Sequence, residues 1–131
     1  MNPRNIRVLV VDDYKIMLRS LTTLLGQMGF IQIDEASSAE QALECLELQS
    51  YDLILSDGIM EGMSGLDFLK IVRKKPKWNT IPFIMITSQN QTNHVMAARE
   101  AGVTAYIIKP FSANTLRAKI VSIFGLLEEK E

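Results

Sequence analysis

The chain has 131 residues, which suits one compact domain with a hydrophobic core and is too short for two. Hydrophobic residues make up 47% of the sequence and charged residues 22%, as in an ordinary globular protein, so intrinsic disorder and fibrous repeats are excluded. Fourteen Lys and Arg residues against fifteen Asp and Glu residues give a net charge of -1, which provides no electrostatic attraction to nucleic acid or an anionic membrane. We therefore expect a single domain over residues 1–131 that binds neither.

Short apolar segments typical of buried strands alternate with longer segments of helical periodicity. In chain order the predicted elements are a strand at 6–11, a helix at 14–28, a strand at 31–36, a helix at 38–48, a strand at 53–55, a helix at 65–74, a strand at 83–86, a helix at 90–101, a strand at 105–108 and a helix at 113–127. The strand at 31–36 is the most polar and suits a sheet edge. Residues 128–131 are expected to form a frayed polar end.

Several local signals mark the helix ends. Gly29 and Gly102 offer C-terminal stops, and Ser112 is the expected N-cap of the last helix. Residues 37–40 have the Ser-x-x-Glu form of a capping box before the second helix. The only cysteine, Cys45, lies within that helix and is expected at the core boundary.

This alternation predicts an α/β fold with a doubly wound parallel sheet, because right-handed crossovers place helices on both faces of the sheet. In such folds ligands bind beyond the carboxyl ends of the strands. The sequence has no apolar run long enough for a membrane span, and residues 1–5 lack the apolar stretch of a signal peptide. We therefore expect a cytoplasmic protein, and a monomer.

Polar residues follow four of the predicted strands. They are Asp12 and Asp13 after the first strand, Asp57 after the third, Thr87 after the fourth and Lys109 after the fifth. In the flavodoxin-like strand order 2-1-3-4-5 the first and third strands are neighbours, so the three aspartates would converge. Three carboxylates repel one another unless a cation neutralises them, and oxygen ligands of this kind suit Mg²⁺.

Lys109 and Thr87 would add an ammonium group and a hydroxyl donor around that cluster. A phosphoryl group attached to an aspartate fits such a cavity, and a carboxylate can act as the nucleophile that accepts it. Asp57 is the best candidate because it follows a central strand.

The residues at the strand ends, taken together, resemble a response-regulator receiver domain, and among these the single-domain chemotaxis type called CheY. The matching segments span nearly the whole chain in order; they are 9–13, 53–57, Met60, Gly65, 85–88, 101–102, Tyr106 and 108–111. The acidic pair, the lone aspartate, the threonine and the Lys-Pro sequence form the strongest part of this signal.

The resemblance implies a phosphorelay function and specific residue roles. Asp57 would accept a phosphoryl group from a histidine kinase or phosphotransfer protein. Mg²⁺ would be held by Asp12, Asp13, Asp57 and the Ile59 backbone carbonyl, and Lys109 and Thr87 would contact the phosphoryl oxygens. The resemblance also implies that Lys109 and Pro110 are joined by a cis peptide bond.

A switch is implied as well. Thr87 would move toward the phosphoryl group and Tyr106 would follow inward, altering the surface formed by residues 90–101, 105–108 and 112–127. The output would be a population shift read by a protein partner, with self-phosphotransfer and slow acyl-phosphate hydrolysis but no turnover of an external metabolite. A role in chemotaxis follows from analogy alone.

The segment after Asp57 departs from the family pattern. Glu61 stands where the family usually has proline, which predicts a more flexible loop. Gly58 leaves no aromatic reporter beside Asp57, and the only tryptophan, Trp78, is expected to lie far from the site. Ile59 and Gln89 occupy variable positions that set how readily water attacks the acyl phosphate, and apolar Ile59 suggests slow self-dephosphorylation.

Three other functions compete with this one. A haloacid-dehalogenase-like phosphatase needs a second acid two residues after its nucleophile, and Ile59 is there instead. A flavodoxin-like cofactor carrier needs a phosphate-cradling loop after the first strand, where this chain is acidic. A degenerate receiver that acts as a constitutive protein-binding scaffold stays open because residues 58–62 are unusual.

Plain structural interpretations also stand beside the functional ones. Asp12 and Asp13 can cap a helix, and Tyr106 can be an ordinary half-buried core residue. His94 is expected at the surface. The basic residues of 73–77 are expected to be a solvated helix end that favours the helix dipole.

Overall fold

The computed structural model describes residues 1–127, and the polar end expected at 128–131 lies outside them. The strands and helices are, in chain order, β1 (Arg7–Val11), α1 (Lys15–Gln27), β2 (Gln32–Ala36), α2 (Ala39–Leu48), β3 (Leu53–Ser56), α3 (Gly65–Lys74), β4 (Phe83–Thr87), α4 (Thr92–Glu100), β5 (Ala105–Ile108) and α5 (Ala113–Phe124), after a short 3-10 helix at Pro3–Asn5. Each predicted strand and helix is present.

The five strands form one parallel sheet in the order β2-β1-β3-β4-β5. The predicted doubly wound α/β fold is therefore confirmed. Strand β1 lies between β2 and β3, with Val11 opposite Ala36 on one side and Ser56 on the other. This register brings the carboxyl ends of β1 and β3 side by side, so the residues that follow them share one edge of the sheet.

Alternate residues of the central strands enter two separate cores. Val8 and Val10 pack with buried residues of α1 and α5 on one face, whereas Leu9 and Val11 pack with buried residues of α2 and α3 on the other. Because β1, β3 and β4 are covered on both faces, they read as continuous apolar runs. Burial on both faces fixes the strand ends, so the polar residues at and just beyond them are held close together.

The helix ends differ from the prediction by a few residues. Tyr14 is extended and precedes α1, and α4 begins at Thr92 and ends at Glu100. Helix α5 ends at Phe124 instead of residue 127 because Gly125 leaves the helical conformation with a φ of 88°, a positive value that glycine adopts without a steric penalty. Boundary errors of this size are normal because a helix end depends on local backbone geometry as well as on periodicity.

The capping box of α2 is shifted by one residue from the predicted pair. Ser38 is the N-cap, and its hydroxyl accepts from the Gln41 backbone N–H at 3.0 Å. The Gln41 side chain in turn accepts from the Ser37 backbone N–H at 2.6 Å. Ser112 caps α5 as predicted, accepting from the Thr115 N–H at 3.1 Å.

Cys45 is partly buried against the core, which agrees with its predicted boundary position. Among residues 1–127, no helix combines the length and the apolar character that crossing a membrane requires.

Candidate functional site

Three carboxylates meet at the carboxyl edge of the sheet, as the strand order predicts. Asp12 and Asp13 follow β1 and Asp57 follows β3, and one oxygen from each lies within 4.8 Å of the others. The backbone N–H of Tyr14 donates to Asp12 Oδ1 at 2.9 Å, and that of Ile59 donates to Asp57 Oδ1 at 3.3 Å. The turns that leave the strands therefore orient two of the three carboxylates.

Lys109, which follows β5, brings one positive charge to this cluster. Its Nζ lies 3.3 Å from Asp12 Oδ2 and 3.4 Å from Asp57 Oδ2. We call the group formed by Asp12, Asp13, Asp57 and Lys109 the acidic pocket. One ammonium group against three carboxylates leaves the pocket with excess negative charge at neutral pH.

The carboxylates differ in their exposure to water. Asp12 is only 1% exposed, whereas Asp13 is exposed and Asp57 is intermediate. Burial raises the pKa of Asp12 above its ordinary value, and the neighbouring charge of Asp57 adds to this, against the opposing effects of the Tyr14 N–H and Lys109. The ionised form of Asp12 is therefore held at a cost that an added cation would relieve.

The donor set of the acidic pocket can hold a metal ion. All three candidate ligand atoms are carboxylate oxygens that point to one place, which is the chemistry that hard divalent cations prefer. Lys109 contacts Asp12 and Asp57 from one side. Asp13 is free of that contact and faces solvent, so a cation has an open side from which to enter and keep some of its water.

Thr87 and Gln89 lie beside the pocket, packed against Gly58. Thr87 is fully buried at the end of β4, and its hydroxyl accepts from the Gln89 backbone N–H at 3.3 Å. A Cβ on residue 58 would lie 2.7 Å from the Gln89 side-chain oxygen and 3.0 Å from the Thr87 hydroxyl. Gly58 therefore leaves the space next to Asp57 to the side chains of the loop after β4.

Tyr106, on β5, reaches the same loop. Its hydroxyl donates to the Gln89 backbone carbonyl at 2.6 Å, and burial raises the pKa of this phenol. A cavity of about 130 Å³ lies behind the acidic pocket. The residues that line it include Tyr106, Gln89, Gly58 and His94. Tyr106 thus lies between the site and α4, where the resemblance expects a switching residue.

His94, which the sequence predicted at the surface, is only partly exposed. Its side chain is partly buried against that cavity, and Nδ1 is fully buried with no hydrogen-bond partner among residues 1–127. The residue lies on the inner side of α4, where the short side chains of Ala97 and Ala98 leave room for the ring. Periodicity alone did not indicate this because α4 has few large apolar residues to mark its inner face.

The expectation that residues 73–77 form a solvated basic end is wrong for Arg73. Its Nε donates to the Gly102 carbonyl at 2.9 Å, and its Nη1 donates to the Ile81 carbonyl at 2.7 Å. Nη2 lies 3.3 Å from the Thr104 hydroxyl. The turns after α3 and α4 leave backbone carbonyls without helical partners, and the planar guanidinium satisfies several of them at once.

Two other basic residues of this segment lie near the tryptophan. Trp78 is 4% exposed and packs into the core between α3 and the start of β4. It therefore lies at the amino ends of the strands, whereas the acidic pocket lies at their carboxyl ends. The ammonium groups of Lys75 and Lys77 lie 5.6 Å and 5.3 Å from its ring centre. Trp78 is thus remote from the acidic pocket, as the sequence predicted.

The loop after Asp57 makes a contact that sequence reasoning missed. The Glu61 backbone N–H donates to Asp13 Oδ2 at 2.9 Å. Ile59 projects from the same loop and is 53% exposed. A backbone donor leaves no side-chain signal in a sequence, except that any residue other than proline retains it.

An acidic pocket with a lysine at the carboxyl ends of a 2-1-3-4-5 parallel sheet is the arrangement that the resemblance to receiver domains, which are phosphorylated on aspartate, implied. The pocket formed by Asp12, Asp13 and Asp57 fits such a phosphorylation site. The Lys109–Pro110 peptide bond is cis, in agreement with the resemblance.

Comparison with known proteins gives the same class. The response regulator receiver domain family model matches residues 8–121. The chain is 37% identical over 124 residues to the chemotaxis protein CheY-3 of Vibrio cholerae, covering 95% of each chain. It is 36% identical over 118 residues to the chemotaxis protein CheY of Pseudomonas aeruginosa, covering 90% of this chain and 95% of that protein.

Solved structures agree. The chemotaxis response regulator CheY4 of Vibrio cholerae superposes with a TM-score of 0.83 at 26% identity, over 90% of this chain and 98% of that one. A putative response regulator from Chloroflexus aurantiacus gives 0.86 at 29% identity, over 92% and 98%. This chain belongs to the response regulator receiver domain family and is a CheY-like receiver of two-component signalling. Such domains are signalling proteins that interact with histidine kinases and downstream targets, and are not classical enzymes.

Proposed function

We propose that the chain is a single-domain response regulator that accepts a phosphoryl group on Asp57 and signals through a change of its surface. The observation that carries this proposal is the position of Lys109, whose ammonium group contacts both Asp12 and Asp57 beside a third carboxylate. This arrangement places the one ammonium group of the pocket next to the carboxylate that would receive the phosphoryl group.

In the proposed transfer an oxygen of the Asp57 carboxylate attacks the phosphorus of a phosphohistidine on a kinase or phosphotransfer protein. The phosphorus–nitrogen bond breaks, its electron pair leaves with the imidazole, and an acyl phosphate forms on Asp57. In this proposal Lys109, which contacts Asp57, stabilises the charge on the phosphoryl oxygens, and the Thr87 hydroxyl, which lies beside Gly58, donates to one of them.

We propose that Mg²⁺ is the metal, held by Asp12, Asp13, Asp57 and the Ile59 carbonyl. When bound, it would supply positive charge that relieves the repulsion of the carboxylates and stabilises the transferring group. The carboxylate donor set supports this assignment, and the buried Asp12 gains most from neutralisation. Slow hydrolysis of the acyl phosphate, with the apolar Ile59 two residues after Asp57, completes the proposed cycle.

The proposed output passes through Thr87 to Tyr106 and then to α4, β5 and α5. Gln89 supports this path, since its backbone N–H contacts the Thr87 hydroxyl and its carbonyl accepts from Tyr106. Met96 on α4 and Ile108 on β5 are 52% and 43% exposed, so apolar side chains are available to a protein partner there. We propose that the protein works as a cytoplasmic monomer in this role and acts in chemotaxis, as its relatives' names suggest.

The test is phosphorylation of the purified protein with a small-molecule phosphodonor, followed by intact-mass spectrometry with Mg²⁺ and with EDTA. We expect a single labile phosphoryl adduct that requires Mg²⁺ and is absent from Asp57→Asn. Asp52→Asn is the matched control, because Asp52 precedes the same strand at its other end and is exposed. An adduct that persists in Asp57→Asn would place the phosphoryl group elsewhere. If no adduct forms on the wild-type chain, the constitutive scaffold becomes the better function.

A further inference from the structure

The Glu61 backbone N–H joins the loop after β3 to the acidic pair after β1. It donates to Asp13 Oδ2 over 2.9 Å, across a sequence separation of 48 residues. The bond uses the backbone of Glu61 and leaves its exposed side chain out. Every amino acid except proline can make this contact at position 61, because proline has no backbone N–H.

The loop that carries this donor is held in place on both sides. Met60, the residue before Glu61, is 7% exposed and packs into the core with α2 and α3. At the loop's far end the Gly65 N–H donates to the Gly58 carbonyl at 3.0 Å. Gly65 also lies directly against the Asp57 carbonyl, where a Cβ would clash. The Glu61 donor therefore lies in a loop that is anchored on both sides.

Asp13 needs such a partner more than its neighbours do. Asp12 and Asp57 are both contacted by Lys109, and both accept a backbone N–H from the turn after their own strand. Asp13 is exposed, so its side chain is free to rotate toward water unless something holds it. In the orientation that accepts from Glu61, one Asp13 oxygen lies within 4.8 Å of the oxygens of the other two carboxylates.

A carboxylate accepts several hydrogen bonds or metal contacts at once, so one N–H on Oδ2 leaves acceptor positions for a cation. Hydrogen bonds to metal ligands from surrounding groups fix the ligand's orientation, and their loss weakens metal binding. We propose that Glu61 is a positioning residue for the cation site, whose backbone N–H holds Asp13 in the orientation that completes the acidic pocket. This inference rests on the metal part of the proposed function.

The test compares Glu61→Pro with Glu61→Ala. The alanine variant removes the carboxylate of Glu61 and keeps the N–H, whereas the proline variant removes both. Mg²⁺ affinity is measured by an NMR titration of ¹⁵N-labelled protein with magnesium chloride, following the amide of Lys109. Circular dichroism and thermal unfolding establish that both variants are folded.

We expect Glu61→Ala to bind Mg²⁺ within about twofold of the wild type and Glu61→Pro to bind roughly tenfold more weakly, as losses of ligand-orienting hydrogen bonds do. Equal affinities of the two variants, or tighter binding by Glu61→Pro, overturn the inference while leaving the proposed function intact. A wild-type chain that binds no Mg²⁺ overturns the metal part of the proposed function together with this inference.

A second measurement decides the question if Glu61→Pro does not fold. Hydrogen exchange of the Glu61 amide is followed in the wild-type protein with and without Mg²⁺, and in Asp13→Ala. We expect protection that persists when Mg²⁺ is added and is lost in Asp13→Ala. An amide that becomes unprotected on addition of Mg²⁺ shows that the hydrogen bond and the cation compete for Asp13, which contradicts a positioning role.

Discussion

Two polar clusters lie at opposite ends of the strands, the acidic pocket at the carboxyl ends and the cluster around Arg73 at the amino ends. They are built in opposite ways. In the acidic pocket three carboxylates share one ammonium group, Lys109, and burial raises the pKa of Asp12. Around Arg73, at the amino ends of the strands, a single guanidinium contacts three backbone carbonyls and a hydroxyl. The first cluster has charge left over for a ligand, whereas the second uses its charge to hold the fold together.

The two clusters differ because one carries the charge that a ligand or a reaction requires and the other supplies hydrogen bonds to the backbone. Like charges placed together destabilise a folded protein, and they persist where a ligand or a reaction needs them. Arg73 donates to neutral backbone carbonyls that the turns after α3 and α4 leave without other partners. Its guanidinium therefore stabilises the fold. Substitutions in the acidic pocket should therefore change chemistry more than stability, and those around Arg73 should do the reverse.

The largest expected effect comes from Lys109→Met. Without the ammonium group, Asp12 and Asp57 repel each other directly, and the transferring phosphoryl oxygens lose their cation. We expect the rate of adduct formation from a small phosphodonor to fall roughly hundredfold, as when one charge-stabilising donor is removed from an active site. Intact-mass time courses measure this rate.

Lys70→Met is the control, because Lys70 is an exposed lysine on α3 outside the pocket. It should react at the wild-type rate. If Lys109→Met is phosphorylated as fast as the control, the ammonium group has no part in the transfer.

The next effect is one of stability. Arg73→Ala removes the donors of three backbone carbonyls and should lower the free energy of unfolding by about 2 kcal/mol. Urea denaturation measures it, with Lys74→Ala as the matched control because Lys74 is the exposed next residue. The phosphorylation rate should stay at the wild-type value. A loss of stability no larger than that of the control would return Arg73 to the status of a solvated helix end.

Much of the acidic pocket could be predicted from the sequence, but little of the cluster around Arg73 could. The acidic pocket lies at the ends of buried strands, and periodicity locates those ends to within a residue because burial on both faces requires an apolar run. Asp12, Asp57 and Lys109 were found in this way. Their convergence then followed from the strand order.

The contacts that the sequence did not reveal depend on the paths of loops. Arg73 looks like any basic residue near a helix end, and only the turns after α3 and α4 bring carbonyls to it. The Glu61 N–H is a backbone group, and the buried nitrogen of His94 depends on the small neighbours of one helix face. None of these contacts leaves a periodic pattern of residues, so the sequence does not indicate them.

The smallest effect has the opposite sign from that of Arg73→Ala. Asp12→Asn removes a carboxylate whose pKa burial has raised, and the amide oxygen can still accept from the Tyr14 N–H. In EDTA at pH 7 we expect the variant to unfold about 3 °C higher than the wild type, which is what about 1 kcal/mol gives in a chain of this size. Addition of Mg²⁺ should raise the unfolding temperature of the wild type and not that of the variant.

The pH dependence provides the control for this prediction. Because the pKa of Asp12 is higher in the folded protein than in the unfolded chain, acidification protonates the folded form first and removes the cost of its charge. The advantage of Asp12→Asn should therefore be full at neutral pH and shrink as the pH falls through the folded-state pKa. Asp67→Asn, an exposed substitution on α3, should show neither the gain nor its decline. If Asp12→Asn is less stable than the wild type in EDTA at pH 7, its contacts with Lys109 and Tyr14 outweigh the cost of burial, and the contrast between the two clusters fails at its most buried charge.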